Sequence, residues 1–432
     1  MIRRSDIASV PQASRGQAGF TLAELLVSLL VTTLLLVGVL TTLDLNSRVA
    51  KVEGNVADMQ QSLRIAQNDM VRLVRMAGRG GLLIADPVSS PIPGGIALGV
   101  RDNVPANQYM MDGEDDTLIL EGTDVLTVRG VFSTPLYQVN PADPAVLTLD
   151  DTNNPTGGTI TIQTPIRGIQ QDLEPLKELI QDDEPRLDAL LLVSPLDDSI
   201  YAVVQIDAAG STFTANSVTL AFQITGGTLT AQYQALSPGG TFPTALRNVI
   251  HAGLLEEYRF YVREEHAIAG DDTSDLTPKL SRARFYPGSG EPYKGDVSNA
   301  RVDVSDNIMD LQVALGFDSG NGGRMDDDDN RIGQDDEILE AANGSADDWL
   351  FNGEADNADD PVWQTNPAPK LQYLRLSTLA RTDRRDHDYQ SAEMPPFIEN
   401  RAYGSSDEQN ERTERMYRRR LIQTVIDLRN LS

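Results

Sequence analysis

One carboxylate stands at the head of the most apolar segment of this chain. In GFTLAEL (residues 19–25), Glu24 directly precedes a run without charged side chains that extends from Leu25 to Leu43. As a helix that run spans roughly 28 Å, about the hydrocarbon thickness of a bilayer. An acid carried into a membrane usually has a partner, because an unpaired charge is costly there. Cleavage after Gly19 would create one, since the new α-amino group of Phe20 would lie about one helical turn from Glu24.

A second candidate site lies in an acidic segment. Residues 318–360 contain 15 acidic side chains against Arg324 and Arg331, a net charge of −13. Four oxygen-bearing residues occupy the first, third, fifth and twelfth positions of a twelve-residue loop: Asp326, Asp328, Asn330 and Glu337. This is the ligand spacing of an EF-hand Ca²⁺ loop. Arg331, however, stands where the sharp turn needs glycine, and no flanking helix pair is evident. The segment is either a Ca²⁺ loop or a solvated acidic loop, and we expect no required cofactor.

The remaining sequence contains no recognisable catalytic motif. Cysteine is absent, and the three histidines (His251, His266 and His387) belong to no zinc-binding pattern. No nucleophile elbow, phosphate-binding loop or dinucleotide fingerprint occurs. We therefore expect a protein that is not an enzyme. The net charge of −28 also argues against nucleic acid as a partner.

The charges around the apolar run predict its topology. Arg3, Arg4 and Arg15 precede it against the single acid Asp6, a bias that places this end in the cytoplasm. The sequence beyond the run, TTLDLNSRVAKVEG (41–54), has no small-x-small cleavage site of a secretory signal. We therefore expect the helix to be retained in the membrane. A plain uncleaved signal anchor is the alternative.

The string GFTLAELLVSLLV (19–31) resembles the class III signal of type IV prepilins. That signal has a basic leader, a glycine, a mature N-terminal phenylalanine and a glutamate at the fifth mature position. The resemblance implies that a prepilin peptidase cuts after Gly19 and methylates the amine of Phe20. It also implies that Glu24 pairs with a subunit N-terminus during filament assembly.

Apolar residues continue at helical spacing beyond the apolar run. They alternate intervals of three and four: Val49, Val52, Val56, Met59, Leu63, Ala66, Met70, Leu73 and Ala77. This stripe predicts one amphipathic continuation of the helix, from about Phe20 to Ala77, which Gly78 ends. A free coiled coil is the alternative reading. We expect instead that the stripe packs on the chain's own globular domain.

The rest of the chain is predicted to form short strands. β-branched and apolar runs bounded by Gly, Pro, Asp or Asn predict strands at 117–122, 125–130, 159–164, 189–194, 200–206, 217–224, 254–263, 307–317, 371–381 and 421–429. Residues 170–188 fit a short helix or a polar loop. Near the C-terminus, Arg418, Arg419 and Arg420 form either a solvated strand with ordinary ion pairs or a basic face that docks an acidic subunit.

The order of these runs resembles that of PilW-type minor pilins, which share traits with J-type minor pseudopilins of type II secretion. The expected fold class is α+β and pilin-like, with one long N-terminal helix, membrane-spanning in its first half, packed on a mainly antiparallel β-sheet domain with loop insertions. The expected segments are a leader (1–19), a transmembrane half-helix (20–43), an amphipathic half-helix (44–78) and a periplasmic or extracellular β-rich domain (79–432) with an acidic insertion (318–369).

The resemblance implies a structural role. We expect a minor pilin in a membrane-anchored complex that primes type IV pilus assembly and caps the tip. Its partners would be prepilin peptidase, other minor pilins, the major pilin and the inner membrane before assembly. It would cross the inner membrane once, with a cytoplasmic N-terminus, and later reach the pilus surface. The alternatives are a type II secretion pseudopilin, a tip adhesin and, least favoured, an exported membrane-anchored enzyme.

Overall fold

The computed structural model describes residues 20–82, 97–111, 118–140, 146–150, 156–181, 187–194, 200–224, 242–243, 246, 251–266, 276–295, 300–318, 349–351, 370–404 and 411–428. It divides the chain into two units, residues 1–55 and 56–432. Helix α1 (Leu22–Arg75) begins in the first unit and ends in the second.

In the first unit, α1 is without charged side chains from Leu25 to Leu43. Its large side chains from Leu25 to Leu43 are exposed, each by about half or more. Within the described residues, this is the single helix that is long and apolar enough to cross a membrane, judged by length and composition.

The hydroxyl groups of this apolar stretch are satisfied within the helix. Ser28 donates to the carbonyl three residues earlier, and four threonines donate to carbonyls four residues earlier: Thr32, Thr33, Thr41 and Thr42. Such bonds lower the cost of placing a hydroxyl in hydrocarbon, because no donor is left unpaired.

The second unit is mainly antiparallel β-structure. Its elements after α1 are β1 (Leu98–Arg101), β2 (Val125–Gly130), β3 (Tyr137–Gln138), β4 (Leu147–Leu149), β5 (Gly157–Gln163), α2 (Glu174–Gln181), β6 (Ala189–Val193), β7 (Tyr201–Phe213), β8 (Ser217–Gln223), β9 (His251–His266), β10 (Leu276–Phe285), β11 (Arg301–Asp306), β12 (Ile308–Asp318), β13 (Trp349–Leu350), β14 (Lys370–Arg381), β15 (Phe397–Ile398), β16 (Arg401–Ala402) and β17 (Arg419–Asp427). Short 3-10 turns lie at Tyr293–Gly295 and Glu414–Met416.

The described strands form two main sheets and a small hairpin. The larger sheet has the order β1-β2-β9-β6-β7-β8-β5-β4, with β3 and β10 also paired to β9 and β11 paired to β10. The smaller sheet has the order β13-β12-β14-β17, and β15 pairs with β16. All of the strand pairs are antiparallel.

Strand β9 joins two parts of the larger sheet. Its first residues, 251–255, pair with β6, and residues 256–260 pair with β2. Along the other edge of β9, residues 257–266 pair with β10 over ten positions. One long strand therefore carries both the part of the sheet that covers α1 and the part that covers α2.

The stripe of α1 packs on the sheets of its own chain. In the second unit its members Met59, Leu63, Ala66, Met70, Leu73 and Ala77 are buried. They share one core with residues of both main sheets, including Phe260 in β9 and Leu374 in β14. Two polar contacts fix the helix further: Arg282 in β10 pairs with Asp69 at 2.6 Å, and Gln67 donates to the hydroxyl of Thr378 at 3.1 Å. Packing on the domain, rather than a free coiled coil, is the observed arrangement.

A second core fills the space under α2. The buried leucines of α2, Leu176 and Leu179, meet residues of one face of β6, namely Leu190 and Leu192. The alternate β6 residue Leu191 belongs to a different cluster on the opposite face. All five residues of β6 are buried, as expected for a strand covered on both faces.

The α+β fold class is confirmed, with one apolar N-terminal helix and a mainly antiparallel sheet domain. Residues 125–130 form β2 as predicted. Nine further ranges were predicted to be strands. Eight of them fall within or overlap β5, β6, β7, β8, β9, β12, β14 and β17. The ninth, 117–122, forms only isolated bridges through Leu118 and Ile119 in its described part. Residues 170–188 contain the short helix α2.

Candidate functional site at the head of the apolar helix

Thr21 and Glu24 form a reciprocal cap at the start of α1. The backbone N–H of Thr21 donates to Oε2 of Glu24 at 2.9 Å, and the backbone N–H of Glu24 donates to the Thr21 hydroxyl oxygen at 3.2 Å. The Thr21 hydroxyl also donates to Glu24 Oε2 at 2.9 Å. This is a capping box, in which a threonine before the helix and a glutamate three residues later each bond the other's backbone N–H. The helix begins at Leu22 for this reason.

The cap also fixes where the carboxylate points. Both contacts from Thr21 use Oε2. Among the described residues, Oε1 of Glu24 accepts no hydrogen bond, and the side chain is exposed. A negative charge at a helix N-terminus is favourable, because the helix dipole places partial positive charge there. The arrangement leaves one oxygen of a positioned carboxylate available to a further donor or cation.

Thr21 is the site residue that the sequence reading missed. In the sequence analysis, Thr21 appears only within the stretch that resembles prepilins, and the amine of Phe20 is the single predicted partner of Glu24. The spacing Thr-x-x-Glu before an apolar run is itself a capping signature and is present at residues 21–24. That signal predicts the contact without any knowledge of the fold.

Comparison with known protein families gives one match. The prokaryotic N-terminal methylation motif matches residues 14–40. The match supports a type IV prepilin-like protein. Its motif is the one that prepilin peptidase cleaves and methylates, which is consistent with that enzyme as a partner, and the apolar helix in the same region is consistent with membrane anchoring. No curated protein and no solved structure matches the chain.

The other predicted site residues divide into two groups. Phe20 is described and is 84% exposed, next to the cap. Gly19 lies outside the described residues, as do the four residues predicted to form a Ca²⁺ loop, Asp326, Asp328, Asn330 and Glu337. Within the described part of the chain, no group of three or more His, Asp or Glu side chains is arranged to hold a metal ion.

The three histidines lie at separate places in the sheet domain. His251 and His266 are the first and last residues of β9, and His387 is exposed between β14 and β15.

Two arginines near the C-terminus form ion pairs within the chain. Arg418 pairs with Asp386 at 2.9 Å, and Arg415 pairs with Glu393 at 3.2 Å. Both residues precede β17, and the two interpretations of Arg419 and Arg420 stay predictions.

Proposed function

We propose that the chain is a minor pilin that joins a membrane-anchored complex, primes type IV pilus assembly and takes a place at the pilus tip. The match of the methylation motif at residues 14–40 supports processing of the N-terminus. The exposed apolar helix that follows supports anchoring and lateral association. The sequence contains no motif for catalysis, so we assign a structural role.

The single observation that carries this proposal is the carboxylate of Glu24, whose Oε1 accepts no hydrogen bond from the described residues. A carboxylate that Thr21 holds through Oε2 alone can accept a second contact at Oε1 without losing its cap. After cleavage, the methylated amine of Phe20 would be the cation that such a carboxylate lacks. In the membrane, a charge pair is strong and costly to leave half-made.

The geometry suggests how one subunit would recognise the next. Thr21 keeps the carboxylate of Glu24 oriented while the subunit is alone. When helices bundle, the Phe20 amine of a neighbouring subunit binds Oε1. Because the pair forms at one axial position only, it would set the register between the two helices. Thr21 is thus a positioning residue for the pairing.

The processing step is tested by mass spectrometry of the protein extracted from membranes. In cells with active prepilin peptidase, we expect a chain that begins at N-methylated Phe20. In matched cells without the peptidase, and in a Gly19→Leu variant, we expect residues 1–19 to remain attached. An unmodified leader in peptidase-positive cells would refute the proposal.

The assembly role is tested by a series of variants in a strain that lacks the wild-type gene. Glu24→Ala and Glu24→Gln should still be cleaved but should restore few surface pili. Thr21→Val, which removes the hydroxyl at nearly constant volume, should restore fewer pili than Thr21→Ser, which keeps it. Full piliation by Glu24→Ala would contradict the pairing. A deletion strain with normal pili but impaired protein secretion would instead identify a pseudopilin.

A further inference from the structure

The two main sheets of the domain meet at a fully buried aspartate. Asp124 lies just before β2 and is 0% exposed. Its backbone N–H donates to the carbonyl of Leu311 in β12 at 2.9 Å, and its Oδ2 accepts the backbone N–H of Val313 at 2.7 Å. Its Oδ1 accepts the N–H of Asn103, just after β1, at 2.9 Å. One residue therefore bonds the edge of the larger sheet to a strand of the smaller sheet.

A second acid lies against the first. The carboxyl groups of the two acids bind the same residue, because the backbone N–H of Asn103 donates to Asp124 and Nδ2 of Asn103 donates to Asp102. Both oxygens of Asp102 also accept from Nδ2 of Asn400, at 2.9 Å each, and one accepts from Nδ2 of Asn103 at 3.2 Å. Two ionised carboxylates at one site repel each other, whereas a proton on one of them would let it donate a hydrogen bond to the other.

The surrounding charges do not neutralise this pair. The nearest acid on β12, Asp310, accepts from Arg401 at 2.8 Å and from the hydroxyl of Tyr403. Arg401 uses its other terminal nitrogen on the carbonyl of Glu121 at 3.0 Å. The neutral Gln312 donates to Asp310 and to the carbonyl of Gly122.

The described residues place no ion pair on Asp102 or Asp124. Burial, followed by the charge of Asp102, raises the pKa of Asp124 well above its usual range. The backbone N–H groups of Asn103 and Val313 lower this pKa, but they do not outweigh the burial. Burial also raises the pKa of Asp102.

We propose that Asp102 and Asp124 share one proton, and that this proton is a pH-sensitive latch between the two sheets. While the proton is bound, the pair is a hydrogen-bonded acid dyad with a single negative charge. Its loss leaves the buried carboxylate of Asp124 beside the partly buried carboxylate of Asp102 without a cation, so that the two repel each other and weaken the contacts to β12. The latch depends on the fold of the domain and is independent of the proposed role in pili.

The direction of the effect follows from proton linkage. The folded state holds the proton at pH values where an unfolded aspartate, with a pKa near 3.9, has lost it. Opening of the junction therefore releases a proton. The opening equilibrium should rise by about tenfold per pH unit between the unfolded pKa and the raised pKa of the dyad.

Hydrogen–deuterium exchange of the full chain in detergent tests this, with the intrinsic pH dependence of exchange subtracted. Between about pH 4 and about pH 8, the segment containing Leu311 and Val313 should lose protection in the wild type. Asp102→Asn should flatten this dependence, because its amide N–H can donate to Asp124 without a proton. Asp44→Asn, at an exposed position on α1, is the control and should follow the wild type.

Two results would overturn the proposal. One is an unchanged pH dependence in Asp102→Asn. The other comes from infrared spectra recorded at about pH 6. The proposal requires a protonated carboxyl band in the wild type that both Asp124→Asn and Asp102→Asn lose, so a wild-type spectrum without this band would overturn it. The infrared measurement on the wild type stands even where a variant folds poorly, because absence of the band alone refutes the shared proton.

Discussion

Replacement of Glu257 by glutamine tests a buried ion cluster of the larger sheet. Glu257 in β9 is 0% exposed and accepts from Nε of Arg129 at 2.6 Å, Nε of Arg259 at 2.7 Å and the N–H of Gly288 at 2.8 Å. Arg129 is itself 3% exposed. Glu257→Gln keeps the shape of the side chain but removes the charge that both guanidinium groups face.

The size of the effect follows from the pKa of Glu257. Burial alone would raise this pKa, but the charges of Arg129 and Arg259 and the N–H of Gly288 lower it from 4.5 to about 2. At 1.36 kcal/mol per pKa unit, ionisation of Glu257 contributes about 3 kcal/mol to the free energy of unfolding at neutral pH. This agrees in size with the roughly 3–5 kcal/mol expected when one partner of a buried pair is removed.

The pH dependence gives the sharper test. The pKa of Glu257 is depressed in the folded state, so its contribution is present above the unfolded value, near 4.3, and is lost as the pH falls toward about 2. Glu257→Gln should therefore lose about 3 kcal/mol at about pH 7 but much less at about pH 2.

Urea unfolding of the full chain in detergent, followed by circular dichroism, measures both effects. The matched control is Glu265→Gln, also in β9. Glu265 pairs with Arg263 and Lys279 but is 38% exposed, so this change should cost less than about 1 kcal/mol. A loss at Glu257 that is no larger than at Glu265, or that is equal at both pH values, would refute the reasoning.

Two further changes test the packing of the same domain by urea unfolding. Leu63→Ala truncates a fully buried residue of the α1 stripe and should lower the free energy of unfolding by about 2–5 kcal/mol. Ile65→Ala, at a position 46% exposed on the same helix, should lower it much less. Equal losses would contradict the packing of this face on the sheets. Gly253→Ala should cost about 1–3 kcal/mol, because the new Cβ would lie 2.7 Å from Cγ2 of Val131; an unchanged midpoint would show that the sheet yields at this point.

Strands with a regular apolar pattern could be predicted from the sequence because each carries its own signal. β2 coincides with its predicted range, and β12 and β14 differ by one residue at their ends. β10 was not predicted, since Pro278 and its three basic side chains are typical of a loop. Those basic residues gain their partners only in the fold: Arg282 pairs with Asp69 of α1, and Arg284 stacks over Tyr293 at 3.8 Å.

The predicted strand at 117–122 fails for a local reason. Its run of apolar residues is followed by Glu121 and Gly122, and the latter adopts φ of +73° in a turn. The hydroxyl of Thr123 closes this turn by donating to the carbonyl of Leu120 at 2.7 Å. In the described residues of this range, 118–122, the strand is reduced to the bridges of Leu118 and Ile119. The apolar pattern is that of a strand, but the turn at Glu121 and Gly122 decides the local structure.

The candidate site was visible in the sequence because all of its parts are close together. Thr21 and Glu24 are three residues apart, and the methylation motif covers residues 14–40. The buried dyad could not be predicted in this way. Asp102 and Asp124 lie near the ends of different strands, and Asn400, which donates to Asp102, comes almost 300 positions later. Isolated aspartates near turns are common, and nothing in their local sequence separates these two from the rest.

The two buried acid clusters respond to pH in opposite directions, and the reason is the number of cations each one faces. Glu257 and Asp124 are both 0% exposed, so burial opposes ionisation of both. Glu257 faces two guanidinium groups, which outweigh burial, whereas Asp124 faces a second carboxyl group, which adds to it. Acid therefore weakens the Arg129 cluster within the larger sheet, and base weakens the junction between the sheets. A domain with both should be most stable between the two transitions, and each variant should remove only one side of that maximum.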